Sequence, residues 1–209
     1  MRAPWERRKS SEYHKASDFE KQQWVAGIPA RFWNISASSI RPKSFKYEGK
    51  GEEDMTSVTA STQQKYLTAR IEQPELLSAN RLVVMTSSPT DEHALSAAAL
   101  MATAVIRNTW PTRISRVRVD DIQDYERCLS MDRPFYNIDP ELLILYNFNP
   151  NSSKARLSLA RDLLNGNEGV YRVIVAAADN PFQFARECLY MEPQEVYHFE
   201  GKPKKTMKI

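Results

Sequence analysis

The chain reads as one α/β domain, a three-layer αβα arrangement around a mostly parallel five-stranded sheet. Two observations predict it. Short unbroken apolar runs recur along the chain, RLVVM (81–85), LLIL (142–145) and VIVAAA (173–178), and such runs suit strands buried on both faces. Stretches with helical character lie between them, so successive strands are joined by crossovers and run parallel. A chain of 209 residues, 42% hydrophobic and 26% charged, supports one sizeable core and is short for two domains.

Residues 1–25 mix charge with Trp5, Tyr13, Phe19 and Trp24 and keep no sustained period, which predicts an arm with a short helix over 16–25. Residues 41–64 hold two glycines, a charge run and a Ser/Thr cluster, the composition of an exposed connection. The division expected is therefore an arm and linker over 1–64, a core over 65–201 and a basic tail over 202–209. Within and just ahead of the core, the pattern predicts a helix over 62–72, a strand over 81–86, a helix over 91–108 and a strand over 114–121. A helix over 122–131, a strand over 141–148, a helix over 153–165 and a strand over 171–178 follow. A helix over 180–190 and a strand over 195–201 close the series. RVRV (116–119) alternates and reads as an edge strand.

No apolar run reaches bilayer length, and the opening MRAPWERRKSSEYHK lacks the apolar stretch of a secretory signal. Both absences predict a cytoplasmic protein with no membrane partner. Cys128 and Cys188 are not at a zinc or redox spacing and read as reduced, buried thiols. The net charge of +3 and pI near 8.8 permit contact with nucleic acid without demanding it.

The turn after RLVVM is where a strand–loop–helix unit would bind phosphate through G-x-x-x-x-G-K-[ST]. There, glycines let backbone N–H groups face the anion, lysine neutralises charge and the hydroxyl holds magnesium. The octet here is TSSPTDEH (86–93). Thr86 stands at the first glycine, Asp91 at the second, Glu92 at the lysine and His93 at the Ser/Thr position. At about 4 Å each carboxylate would repel a phosphate charge by ~1 kcal/mol or more. The run LLIL would carry the acidic pair that holds magnesium and orients water, yet it ends in Tyr146 and Asn147. Both absences fall on the expected strands in the expected order, which points to a P-loop-type fold without its ATPase chemistry and without a bound cofactor.

The order of elements over residues 24–190 resembles the AAA+ module of DnaC-type replicative helicase loaders and IstB-type transposition ATPases. WVAGIPARFWNISASSI (24–40) is similar to that family's segment ahead of the core, through Gly27, Ile28, Pro29, Arg31 and Phe32. RVRVDDIQDYERCL (116–129) resembles its second strand and helix, and ELLILYNF its Walker B strand. YRVIVAAADNPFQFA resembles the sensor strand, with Asp179 or Asn180 nearest the sensor position. The lid domain of a full AAA+ protein has no counterpart after the last strand. The resemblance implies a catalytically inactive relative that acts by binding in a replication or transposition complex. Helicase loading or regulation is the expected role, with a replicative helicase reached through the arm and DNA as a second partner.

Other residue groups carry competing readings. Asp91, Glu92 and His93 form either a solvated helix start or an acid–base or metal site, and Asp120, Asp121 and Asp124 either a helix cap and first turn or a cation site. Basic residues gather at Arg7, Arg8 and Lys9, at Arg107, Arg113, Arg116 and Arg118, and at Lys202, Lys204, Lys205 and Lys208. They are candidate phosphate contacts. Trp5, Arg7, Arg8, Trp24, Phe32 and Trp33 are candidate partner contacts, with packing of the linker onto the core as the alternative for the last three. Two further classes stay open: a nucleotide-sensing or residual ATPase subunit that lends Arg161 or Arg186 to a neighbour, and a self-assembling DNA-binding protein, homo- or hetero-oligomeric.

Overall fold

The computed structural model describes residues 17–48, 55–75, 81–88, 91–109, 117–129, 140–167 and 170–199. Helix α1 (Asp18–Ala26) begins with a capping box: Ser17 accepts from the Glu20 N–H while Glu20 accepts from Ser17. It ends at Gly27, whose φ of 95° is the left-handed conformation that glycine adopts without strain. Single 3₁₀ turns over Ala30–Phe32 and Ala37–Ser39 lead to strands β1 (Phe45–Glu48) and β2 (Met55–Val58), an antiparallel pair. Helix α2 (Ala60–Glu72) is capped by Thr59.

The alternating series then follows: β3 (Arg81–Ser87), α3 (His93–Thr109), β4 (Val117–Asp121), α4 (Ile122–Leu129), β5 (Leu142–Phe148), α5 (Lys154–Asn165) and β6 (Tyr171–Ala177). Helix α6 starts as an α-turn at Pro181–Gln183, with Asn180 as its cap, and continues as a π-helix over Phe184–Leu189. Strand β7 (Glu195–Phe199) ends the described chain. Every element predicted after residue 65 is present among the described residues, with ends within two residues of those predicted; positions 114–116, 130–131 and 200–201 of the predicted elements lie outside the described residues.

The five core strands pair in the order β4-β5-β6-β3-β7, and all pairings are parallel. This is the three-layer αβα fold of the P-loop type. The apolar runs occupy the interior positions β3, β5 and β6, and alternating β4 lies at an edge. The strand order dictates where the helices go. From β3 the chain crosses to the far edge, whereas each later connection steps back the other way. Right-handed crossovers therefore put α3 on one face and α4, α5 and α6 on the other. The two core clusters divide accordingly: Ala98, Met101 and Val105 of α3 meet Val83, Ile144 and Val173. Ile122, Leu164 and Phe184 meet Leu82, Leu145 and Ile174 on the opposite face.

One helix cannot cover a five-stranded face, and here the arm supplies the remainder. Ile28, Phe32, Ile40 and Leu67 are buried in the α3 cluster, each contributing about 1.5–3 kcal/mol of burial. The alanines of α3 let the arm approach closely on the side away from the sheet, and the Gln23 amide donates to Thr103 Oγ1 at 3.1 Å in that contact. Residues 41–64 are correspondingly not an open connection. They contain the antiparallel pair β1 and β2, and the expected boundary at 64/65 falls inside α2. Phe45 is buried, Tyr47 stacks on Phe182 at 3.9 Å, and Pro42 bridges to Phe199 beside the β7 edge. FKYE and MTSV are each four residues long, too short for their alternation to outweigh the neighbouring glycines and charges. Among the described residues no helix is long and apolar enough to cross a membrane.

Candidate functional site

Adjacent parallel strands whose chains leave toward opposite faces open a crevice beyond their C-terminal ends, and ligands of open α/β sheets bind there. In this fold that place is between β3 and β6. A cleft of about 920 Å³ occupies it, lined by Arg31, Ser87, Asp91, Glu92, Asp121, Tyr146, Asn147 and Ala177 among others.

Three carboxylates and one guanidinium set its electrostatics. The Asp91 side chain is only 7% exposed. Its Oδ1 accepts from the His93 backbone N–H at 2.8 Å and meets His93 Nδ1, an arrangement that caps the start of α3. Its Oδ2 is buried and has no hydrogen-bond partner among the described residues. Glu92 is gripped from the arm, where Arg31 Nε and Nη2 donate to its two oxygens at 3.1 and 2.7 Å while the guanidinium lies over the Phe32 ring. The cation thus enters from the arm, opposite an acid at the loop's lysine position.

Asp121 accepts from the Gln123 N–H at 2.8 Å and from the Asn147 amide at 3.2 and 3.1 Å. Burial pushes its carboxyl above the usual range against the pull of those bonds, with the Asp124 charge acting in the same direction as burial. Asn147 reaches Asp121 because β5 is irregular. The β5–β6 register shifts between Leu145 and Phe148, and Asn147 has φ 77°. A bulge re-aims a side chain in this way, and asparagine tolerates the left-handed region better than most residues.

No protein-family model matches the chain, and no curated protein matches it. What the cleft can do follows from its own residues. Carboxylates outnumber the cation, and glutamate stands where a phosphate loop has lysine. The surface suits a cationic or hydrogen-bond-donating group better than a polyphosphate.

Four of the loop and strand-end residues singled out in the sequence come together here: Asp91, Glu92, Tyr146 and Asn147. Two do not line the cleft. Thr86 is fully buried within β3 and shares a hydrogen bond of 2.9 Å with His198 on β7. His93 turns back onto Asp91. Among the described residues no group of three or more His, Cys, Asp or Glu is placed to hold a metal ion. Asp120 is committed to Arg118 at 2.7 Å and the Tyr125 hydroxyl at 3.0 Å, and Asp121 caps the first turn of α4.

The remaining candidates separate further. Arg118 is spent on Asp120 and largely buried, so it is no exposed phosphate contact. Arg107 is exposed beside the Phe19 ring. Phe32 is a core residue, and Trp33 packs against the core with its indole N–H donating to the Ile28 carbonyl. Trp24 meets Trp33 edge-on at 5.6 Å. Phe32 is thus buried in the core, and Trp33 packs onto it while remaining partly exposed. Trp5, Arg7, Arg8, Arg113, Arg116, Lys204 and Lys205 lie outside the described residues. Cys188 is half-buried, and burial followed by the Glu187 charge pushes its thiol up, away from reactivity. Sequence reasoning missed Arg31 and Asp121 as cleft residues. Arg31 carried a signal as the basic member of IPARF, but nothing in its spacing disclosed a reach of 61 residues to Glu92.

Proposed function

We propose that this protein is a P-loop-type αβα domain that does not turn over nucleoside triphosphate and acts as a binding subunit. Its place would be in a cytoplasmic DNA replication or transposition complex, in the manner of a DnaC-like helicase loader or regulator. The observation that carries the reading is the substitution at the switch point: Glu92 at the lysine position, tied by Arg31, beside a buried Asp91 oxygen that no donor among the described residues meets. A triphosphate seated there would face charge of its own sign, so the useful property of the scaffold is its surface. The helicase partner is supported by the resemblance of residues 24–190, the IPARF segment in particular.

The test is co-elution of the full chain with the replicative helicase of its host, repeated after deletion of residues 1–25. Co-elution that the deletion abolishes is the expected result. Calorimetric titration with ATP and magnesium is expected to show no heat of binding. Saturable tight binding, or steady phosphate release from a clean preparation, would overturn the reading in favour of a nucleotide-sensing subunit.

A further inference from the structure

At the opposite end of the sheet from the cleft, the C-terminus of α6 makes a second feature for which the fold itself offers no use. Its last turn is a π-helix that closes with the Tyr190 N–H donating to the Ala185 carbonyl, and single π-turns of this kind are frequent at functional sites. Tyr190 itself sits at φ 52° and ψ 40°, a conformation that glycine adopts freely and an aromatic residue does not. The strained residue gains no burial in return, since it is 75% exposed.

One cationic group backs the ring. The Arg161 guanidinium carbon lies 5.2 Å from its centroid. The only hydrogen bond of that side chain runs from Nε to the Leu157 carbonyl at 3.4 Å, and among the described residues no carboxylate pairs with it. Both residues line a pocket of about 360 Å³ together with Arg172, which is 7% exposed and anchored by Nη1 on the Leu164 carbonyl at 2.8 Å. The one carboxylate on the rim, Glu192, is engaged by Arg186 at 3.2 Å.

We propose that this is a binding site for single-stranded nucleic acid. One base stacks on the outer face of Tyr190, and the adjoining phosphate meets the guanidinium group of Arg161 at the mouth of the pocket. An exposed ring backed by a cation offers sequence-tolerant stacking, and guanidinium groups match phosphate oxygens in pairs. A duplex keeps its bases stacked on one another and has none to place on the ring. The assignment rests on the reading above in expecting a nucleic-acid complex, and it uses none of the cleft residues.

The test is fluorescence anisotropy of a labelled oligothymidylate of about 20 nucleotides, titrated with the full chain. Tyr190→Ala and Arg161→Ala are each expected to weaken binding about ten-fold, and Tyr190→Phe to retain it. Arg161→Ala should also flatten the slope of log affinity against log salt by about 0.7. Tyr190→Gly separates binding from folding: glycine relieves the left-handed backbone and should raise the thermal midpoint while losing affinity as alanine does. No binding by the unmutated chain, unchanged affinity in Tyr190→Gly, or a fall in its midpoint overturns the proposal. So does full competition by inorganic phosphate or an acidic peptide at the oligomer's own concentration. Helicase co-elution measured on the same preparations keeps the two readings apart, since its persistence would leave partner binding standing when oligomer binding fails.

Discussion

At the N-terminal ends of the strands a single carboxylate, Glu195, is surrounded by donors, whereas of the cleft carboxylates Asp91, Glu92 and Asp121 at the C-terminal ends Arg31 grips Glu92 and neither of the others. Glu195 receives Arg70 at 3.1–3.3 Å, the Tyr171 hydroxyl at 2.8 Å and the Tyr197 hydroxyl at 3.2 Å, with Arg81 at 3.7 Å. Burial, reinforced by the Glu195 charge, pushes both phenols well above their usual range, so they remain protonated donors. Each oxygen is satisfied, and the network ties α2 to β6 and β7. In the cleft, one buried oxygen has no donor among the described residues and the Arg31–Glu92 pair is more than half exposed. A satisfied buried network holds a fold together, whereas unmet polarity lowers stability and leaves groups available to a ligand. The Glu195 network is therefore structural, and the cleft is poised to bind.

The contrast is broken most directly at Glu195. Glu195→Ala leaves Arg70 buried beside two phenols without an acceptor and is expected to cost about 3–5 kcal/mol, read from urea unfolding. A loss below about 1 kcal/mol would erase the distinction between the two ends.

In the cleft the expected sign reverses. Asp91→Asn keeps an acceptor for the His93 N–H and removes a buried charge, so stability should hold or rise by up to about 1 kcal/mol in the same measurement. A loss of the size expected at Glu195 would make Asp91 structural after all.

Arg31→Ala sharpens the comparison, because the exposed pair with Glu92 contributes little. Destabilisation below about 1 kcal/mol is expected, shrinking with added salt in thermal melts.

The smallest effect is at Asp121. Its carboxyl titrates higher in the folded chain than the ordinary value of 3.8, so the folded state holds its proton more tightly than the unfolded state does. The associated stability is present below the unfolded value and lost as pH rises through the folded one. Asp121→Asn should therefore raise the thermal midpoint slightly at pH 7, with the difference fading as pH falls towards 4.

Much of the cleft was legible because its residues are sequence neighbours at the ends of recognisable strands. Asp91 and Glu92 follow β3, and Tyr146 and Asn147 end β5, so predicting those strands places all four at one end of a parallel sheet. Thr86 does not line the cleft because it is paired inside β3, between Ala176 and His198, and its hydroxyl is turned onto the His198 ring, a partner that only the strand order supplies. Phe32 and Trp33 read equally well as anchors or as packing, since an aromatic residue in an arm has the same local pattern in either use. Tyr190 left no mark in the periodicity, because its left-handed backbone follows from a π-turn that only the packed helix selects.

The linear chain by itself determined the α/β class, the strands and helices of the core, and the absence of glycine and lysine from the loop after β3. Those properties depend on hydrophobic period and residue chemistry over a few neighbours. Folding alone decided that the arm completes the α3 face, that Arg31 takes Glu92, and that Glu195 gathers donors from α2, β3, β6 and β7. Such contacts join residues separated by tens to more than a hundred positions, and no local pattern encodes a distance that depends on strand order and crossover hand.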